Sequence, residues 1–291
     1  MTGKFDRQIA LFGEEGQAKI AAAKVAVVGA GGLGSHVVQQ LALLGVRRFD
    51  VIDSEELADT NRNRYVTARF DDPIPGTLKV DIAERLIKSV NPEAQVEKVP
   101  DSLVSAEAFN AIIGADYVFG CLDCEGARLV LNELCAAYVR RYWDLASDVV
   151  PGESPEYGGR VSVSTWSDYG CLVCRGLLDL EEAQLDLSGP EAKRDRERIY
   201  GVDAAVLGRS GPSVVSINGA VASLGVTEFM VAVTGLRPPK PVINYYGKMG
   251  RLTSPIDPPT SDCYYCVAIK GLGDRADVQH YVREDVGAFL R

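Results

Sequence analysis

Histidine is scarce in this sequence, and its scarcity limits the kinds of active site that can be built. Only His36 and His280 occur among 291 residues. Histidine is the most frequent general acid or base in enzymes and the commonest side-chain ligand of metal ions. We therefore expect neither a histidine-centred hydrolase nor a metal centre with several histidines. His36 directly follows a glycine-rich stretch and is expected to lie near the start of a helix.

The sequence also lacks an excess of positive charge and any long apolar run. It has 31 Lys and Arg against 40 Asp and Glu, a formal net charge of −9, so we expect no attraction to nucleic acid or to an anionic membrane. No signal-peptide stretch opens the chain, and no window reaches the roughly 18 uninterrupted apolar residues of a spanning helix. With 46% hydrophobic residues, we expect a cytoplasmic protein with a sizeable core.

Strand and helix patterns alternate through the first half of the chain. An apolar run from Val25 to Val28, the glycine-rich stretch Gly29 to Gly34, and helical periodicity from Ser35 to Leu44 predict strand, turn and helix. Further strands are predicted at 48–53, 95–99 and 116–120, and further helices at 78–90, 106–113 and 126–138. This alternation predicts an α/β fold: a Rossmann-like, mostly parallel sheet with helices on both faces.

After about residue 142 the pattern changes. Residues 159–165 and 242–246 alternate in the manner of antiparallel strands. Residues 213–233 are nearly uncharged, yet too polar and interrupted for a membrane span, and predict a buried helix, with a subunit interface as one setting. The charge-rich run 179–209 is interpreted as a solvated helix or loop, with a docking surface as the alternative. We divide the chain into an amino-terminal half, residues 1–150, and a carboxy-terminal half, residues 151–291, of one continuous domain.

The glycine-rich stretch has the form of a nucleotide-binding loop. Without side chains at Gly29, Gly31, Gly32 and Gly34, backbone N–H groups can approach a phosphate, and the following helix adds its positive end. About twenty residues later, Asp53 ends the second predicted strand, where a carboxylate can bind both ribose hydroxyls. This pairing suits NAD as well as ATP.

A polar cluster further along the chain favours ATP. It contains Asn61, Arg64, Lys79, Asp123 and Arg128. Attack on the α-phosphorus of a triphosphate builds negative charge on the leaving pyrophosphate, which cations must neutralise, whereas a hydride-transfer cofactor needs no such assembly. Asp123 suits Mg²⁺, which prefers carboxylate and water oxygens.

Taken in order, these motifs resemble those of the ThiF/MoeB/HesA adenylyltransferases of the ubiquitin-activating enzyme superfamily. The resemblance spans nearly the whole chain. It is carried by Phe5–Ile9, Phe12-Gly13, Gly16-Gln17, Gly29–Ser35, Asp53, Asn61–Arg64, Gly76, Lys79, Asn91-Pro92, Asp123 and Arg128. Three positions depart from the family pattern: Arg62 replaces an apolar residue, Tyr65 a glutamine, and Cys124 an asparagine.

The resemblance implies a role for each matching residue. Asp53 binds the ribose and Asp123 binds Mg²⁺. The phosphates are bound by Asn61, Arg64 and Lys79. Arg7 would reach across the interface of a homodimer into the partner's nucleotide site. The amino-terminal half, residues 1–150, would then bind the nucleotide. The carboxy-terminal half, residues 151–291, would bind the carrier protein and zinc and form the dimer.

The implied reaction is ATP-dependent adenylation of the C-terminal glycine of a ubiquitin-like protein. A conjugating enzyme could then take over the activated chain. Residues 257–266 and 271–276 are similar to those of bacterial ThiF-like proteins from ubiquitin-like conjugation systems. The alternatives are activation of a ThiS/MoaD-like sulfur-carrier protein, an NAD-dependent oxidoreductase, in which Arg64 and Lys79 would have no purpose, and a catalytically silent dimeric binding module.

Four of the seven cysteines form two C-x-x-C pairs. The pairs are Cys171 with Cys174 and Cys263 with Cys266, and they could together hold a tetrahedral zinc ion. Their long separation leaves four unpaired thiols as the alternative, but the resemblance implies structural zinc because MoeB-like members carry such pairs. Of the remaining three, only Cys124 would lie beside the adenylate, where a nearby arginine could lower its pKa. We favour a packed loop cysteine there and leave any thioester step open.

Overall fold

One mixed β-sheet forms the centre of the fold. The computed structural model describes residues 3–167, 169–188, 212–255 and 257–283. Eight strands in these residues are arranged in the order β3-β2-β1-β4-β5-β6-β7-β8. They are β1 Lys24–Val28, β2 Arg48–Ile52, β3 Gln95–Val99, β4 Tyr117–Gly120, β5 Arg141–Val150, β6 Glu156–Ser164, β7 Val242–Tyr246 and β8 Arg251–Thr253. The first five are parallel and the last three add antiparallel pairs, which confirms the predicted sheet.

Helices cover both faces of the sheet, as the alternating pattern predicts. They are α1 Asp6–Ala22, α2 Gly32–Leu44, α3 Lys79–Val90, α4 Ala106–Ile113, α5 Glu125–Ala137, α6 Leu180–Leu187 and α7 Val215–Thr234. One core joins α1, α2, α3 and α7 to the sheet around Trp143 and Phe229. The other joins α4, α5 and the last described residues around Phe109 and Leu131.

The strand order places a crevice at the end of β1. The chain crosses from β1 to β2 and β3 on one side, then returns to β4 on the other side of β1. Loops leaving the carboxyl ends of β1 and β4 therefore diverge, and such a switch point is where open α/β sheets bind ligands. The glycine-rich loop follows β1, and the loop with Asp123 follows β4.

Three elements were not predicted: α1, β5 and β8. Helix α1 is kinked at Gly13, whose φ is +73°, and much of its surface is exposed, so it has weak apolar periodicity. Strand β5 begins with Arg141 and contains Asp148 and the buried Asp144, so it does not resemble an apolar strand. The proposed division near residue 150 falls in the turn between β5 and β6, which pair along nine residues.

Helix α7 corresponds to the predicted uncharged helix. By length and composition it could cross a membrane, but 56% of its most apolar stretch is buried inside the fold. It packs against α1 and α2 and against β5 and β6, as a core helix does. The first section of the charge-rich run forms α6, whose amino end is capped by Asp179. Residues 189–209 of that run lie outside the described residues.

Candidate functional site

The glycine-rich loop makes closer contacts than any side chain would allow. Gly29 has φ +86°, and a Cβ there would lie 2.6 Å from the Cys121 carbonyl oxygen. A Cβ on Gly34 would lie 1.9 Å from the Gly29 oxygen. No side chain caps the amino end of α2 at Gly31. The first N–H groups of α2 are therefore free to bind a phosphate.

Asp53 is fixed beside this loop by two backbone donors. Its Oδ2 accepts the Ala30 N–H at 2.7 Å, and its Oδ1 accepts the Glu55 N–H at 2.8 Å. Burial raises the pKa of Asp53, while nearby Lys79 acts in the opposite direction. Each oxygen keeps a lone pair, so the carboxylate can still accept hydrogen bonds from two ribose hydroxyls.

Lys79 is buried at the start of α3 and is already paired. Only 6% of the residue is exposed, and its ammonium contacts the carboxylate of Glu55, which is largely exposed. Tyr65 donates its hydroxyl to the Lys79 carbonyl at 2.9 Å. Tyr65 therefore positions the backbone of Lys79, and this accounts for a departure noted in the sequence.

The segment that precedes α3 contains Asn61 and brings Arg64 to the glycine-rich loop. Asn61 accepts the Ala58 N–H at 2.9 Å, which closes a short 3₁₀ turn. The Cγ of Arg64 would lie 3.1 Å from a Cβ on Gly32, so the arginine side chain passes directly over the loop. Its guanidinium contacts the Thr60 carbonyl.

The departure at Arg62 has a structural explanation. Its Nε donates to Asp59 Oδ1 at 3.1 Å, and its guanidinium donates to the carbonyls of Arg69 and Asp72, the latter at 2.8 Å. Arg62 therefore stabilises its own loop. Its contacts do not match the phosphate-binding role that the resemblance implies for Arg64.

Asp123 differs from the other site residues because nothing holds its carboxylate. It is exposed and makes no hydrogen bond or ion pair with another residue of the described ranges. The neighbouring Arg128 is buried and donates to the Leu122 carbonyl at 2.8 Å. Arg128 thus holds the loop while leaving the Asp123 carboxylate available to a cation.

The structure reveals two site neighbours that the sequence patterns did not indicate, Glu55 and Asp144. Glu55 stands two residues after Asp53, within an acidic pair that resembles an ordinary polar loop. Asp144 lies inside an apolar run, between Trp143 and Leu145. A charged residue flanked by buried apolar residues was the available signal for Asp144.

Arg7 lies far from its own chain's glycine-rich loop. It is exposed on the first turn of α1, and no described residue bonds to it. The next residue, Gln8, donates to the Leu43 carbonyl, at the carboxyl end of α2. The glycine-rich loop lies at the opposite end of this 13-residue helix, roughly 18 Å away.

The four cysteines of the two pairs come together in space. Their sulfur atoms all lie within 4.8 Å of one another. Measured separations are 3.6 Å between Cys171 and Cys263 and 3.8 Å from Cys174 to both Cys171 and Cys266. A tetrahedral zinc ion with bonds of about 2.3 Å requires sulfurs about 3.8 Å apart. The donor set and spacing fit zinc, and all four positions of a closed site are filled.

The remaining cysteines lie away from this cluster. Cys135 is fully buried in α5, and burial raises the pKa of both Cys121 and Cys135 far above the usual range. Cys124 precedes α5, and burial raises its pKa to about 11. Arg128 does lower the Cys124 pKa, as expected, but desolvation by burial outweighs it, and the net rise favours a packed loop cysteine.

Comparison with known proteins gives consistent matches. The chain is 30% identical over 159 residues to the adenylyltransferase and sulfurtransferase UBA4 of Lodderomyces elongisporus, covering 54% of this chain and 33% of that protein. It is 34% identical over 123 residues to the SAMP-activating enzyme E1 of Haloferax volcanii, covering 42% and 45%. It therefore spans less than half the length of these curated relatives.

A solved structure reproduces the fold. The crystal structure of E. coli MccB with ATP superimposes with a TM-score of 0.70 at 18% identity, covering 91% of this chain and 75% of that chain. At this identity the likeness shows the fold alone. The model of the ThiF family matches residues 5–263, which is most of the chain. The chain therefore belongs to the ThiF family.

Proposed function

We propose that the chain is an ATP-dependent adenylyltransferase that activates the C-terminal glycine of a ubiquitin-like protein. The main support is one crevice in a ThiF-family fold, where a free helix amino terminus, the fixed carboxylate of Asp53 and the unpartnered carboxylate of Asp123 converge. The H. volcanii relative is named as an enzyme that activates SAMP, and E. coli MccB was crystallised with ATP.

In this proposal each side chain has one role toward ATP. Asp53 accepts the ribose hydroxyls, and the amino end of α2 binds phosphate. The phosphates are bound by Asn61, Arg64 and Lys79. Asp123 would hold Mg²⁺, which takes one or two carboxylates together with phosphate oxygens and waters. When bound, the ion supplies charge neutralisation at the phosphates.

The reaction needs positioning more than proton transfer. The C-terminal carboxylate of the carrier attacks the α-phosphorus, the bond from that phosphorus to the bridging oxygen breaks, and pyrophosphate leaves. The products are an acyl-adenylate and pyrophosphate, and the attacking carboxylate is already ionised at neutral pH. Arg64 and Lys79 neutralise charge on the leaving group, which agrees with the scarcity of histidine.

The four-cysteine cluster would hold a structural zinc ion. A closed set of four thiolates leaves no coordination position for substrate. The cluster joins the turn that follows β6 to the start of the short helix Tyr265–Ile269, so zinc would fix the region of the chain proposed to bind the carrier.

A homodimer completes the proposal, because Arg7 cannot reach its own site. Helices α1, α2 and α7 form a groove of about 400 Å³ that is largely apolar. It is lined by Gln8, Gln40, Leu43, Leu44, Val226, Thr227 and Met230. A second copy of this chain is the occupant we assign to it, since it would bring Arg7 toward the partner's nucleotide. A cytoplasmic location and transfer to a conjugating enzyme belong to the same proposal.

A second candidate substrate is a sulfur-carrier protein, because UBA4 is named both an adenylyltransferase and a sulfurtransferase. Calorimetry with MgATP and with NAD tests the class of ligand first. We expect MgATP to bind and NAD not to bind. Binding of NAD alone would instead support an oxidoreductase, and binding of MgATP without pyrophosphate release by any carrier would support a silent module.

A further inference from the structure

A fully buried carboxylate lies next to the candidate site, and none of the roles described above uses it. Asp144 is on β5, paired with Gly120, the last residue of β4. Its Oδ1 accepts the Tyr142 hydroxyl at 3.0 Å, and its Oδ2 accepts an Arg160 N–H at 3.1 Å. Arg128 Nη1 lies 3.8 Å from the same Oδ2. Because burial removes water from this carboxylate, its charge must be stabilised by such hydrogen-bond and charged partners.

Arg128 connects Asp144 to the loop that carries Asp123. Its other terminal nitrogen donates to the Leu122 carbonyl at 2.8 Å, one residue before Asp123. The preceding Cys121 carbonyl lies directly against Gly29. The guanidinium therefore fixes the peptide that sets the distance between the Asp123 carboxylate and the glycine-rich loop.

Arg160 connects Asp144 to the segment that follows the first cysteine pair. Its second terminal nitrogen donates to the Leu177 carbonyl at 2.8 Å, three residues after Cys174. This segment leads into α6 and closes back on the start of α5. The Asp179 N–H donates to Glu125 Oε2 at 3.0 Å. The Asp123 loop is thus held from both sides through one carboxylate.

We propose that Asp144 is a positioning residue of the metal-binding loop: through Arg128 it holds the Leu122–Asp123 peptide, and through Arg160 it ties that loop to the segment after Cys174. This inference rests on the proposed binding of MgATP at Asp123. Asp144 does not touch the nucleotide. It acts on the ligand only through the loop backbone, so its removal should weaken metal binding by no more than the lower end of the roughly 10- to 100-fold range typical of groups bonded directly to a ligand, about 10-fold.

Calorimetry of Asp144→Asn with MgATP, and with ATP in a metal chelator, tests this role. We expect the Kd for MgATP to rise by up to about 10-fold while the Kd for metal-free ATP stays unchanged. Tyr142→Phe removes one hydrogen bond to the same carboxylate and should act in the same direction by a smaller factor. It decides the question if Asp144→Asn does not fold.

Glu228→Gln is the matched control. Glu228 is also a buried carboxylate, held by Arg237 at 2.6 and 2.7 Å, but far along α7. This variant should lose thermal stability and keep its affinity for MgATP. The positioning role is wrong if Asp144→Asn weakens the binding of MgATP and of metal-free ATP equally, or weakens neither. If Asp144→Asn does not fold, the same criterion applies to Tyr142→Phe.

Hydrogen exchange separates this inference from the proposed function. If the wild-type chain does not bind MgATP at all, the proposed function fails, but the loop can still be examined. Asp144→Asn should then speed amide exchange in residues 122–128 relative to both wild type and Glu228→Gln. Unchanged exchange in 122–128 would overturn the positioning role.

Discussion

At the scale of single residues, the carboxylates of the candidate site differ in the hydrogen bonds and ion pairs that they make within the chain. Asp53 accepts two backbone N–H groups, and Glu55 contacts the ammonium of Lys79. Asp123 is exposed and has no partner in the described ranges. A side chain that the fold does not use can be removed without loss of stability, so Asp123 allows function and folding to be separated.

Asp123→Ala should abolish carrier-dependent exchange of pyrophosphate into ATP and leave the melting temperature unchanged. The substitution removes the proposed magnesium ligand and no hydrogen bond or ion pair to any residue that the structure describes. Glu107→Gln, at an exposed acidic position in the first turn of α4, is the control and should keep full exchange. Full exchange by folded Asp123→Ala protein would rule out the role of Asp123.

Glu55→Gln should tighten the binding of ATP. In the structure the Glu55 carboxylate forms an ion pair with the Lys79 ammonium. A triphosphate must therefore displace this carboxylate before it can bind Lys79. Because the Glu55 partner is largely exposed, the pair contributes only about 1 kcal/mol, which corresponds to roughly a fivefold gain in affinity. Calorimetry with metal-free ATP measures the change. Weaker binding by Glu55→Gln would mean that Glu55 assists the nucleotide instead of competing with it.

At the scale of elements, the sequence reveals structure that depends on neighbouring residues but not contacts between separate elements. The strand, glycine loop and first turn of α2 were predicted because the signal lies within about ten consecutive residues. Strand β5 was missed because Arg141, Asp144 and Asp148 interrupt its apolar pattern, and the buried Asp144 depends on a partner from another strand, Arg160. For the same reason the pairs Lys79–Glu55 and Arg160–Asp144 could not be predicted, since each joins residues on separate elements or loops.

The cysteine cluster also joins residues that lie far apart in the sequence. The sequence predicted both pairs, and the structure confirms that they meet, although 92 residues separate Cys171 from Cys263. The resemblance to the family could imply that the two C-x-x-C pairs meet across such a distance, but their spacing in the sequence could not.

Cys171→Ser should release the bound metal and destabilise the fold. Metal analysis of wild-type protein should give about one zinc per chain and the variant none, because three thiolates bind more weakly. We expect the melting temperature to fall by several degrees, since each kcal/mol of lost stability lowers it by about 2–4 °C in a large domain. Cys124→Ser lies outside the cluster and should keep its zinc. Absence of zinc from wild-type protein purified without chelators would refute the metal site.

At the scale of the whole molecule, the proposed nucleotide site includes a residue, Arg7, that its own chain does not bring to it. The sheet, both helical layers and the glycine-rich loop belong to a single chain, but Arg7 lies at the far end of α2 from that loop. A two-fold dimer solves this problem of distance, because the same contact is then made twice.

Mixing Arg7→Ala with Asp123→Ala protein should restore some of the activity that each lacks alone. In a mixed dimer, both defects fall in one site and the other site is intact. If Arg7 only makes a surface contact worth at most about 1 kcal/mol, Arg7→Ala is active without mixing. Failure to recover activity after subunit exchange, verified by mass spectrometry, would place the action of Arg7 within its own chain.

The most direct measurement of the central claim is carrier-dependent exchange of labelled pyrophosphate into ATP by the wild-type chain. A ubiquitin-like or sulfur-carrier protein ending in glycine should support exchange, and the same carrier without its terminal glycine should not, since its carboxylate would no longer reach the α-phosphorus. Exchange that is equally fast without any carrier would contradict the account. So would no exchange with either class of carrier in protein that binds MgATP.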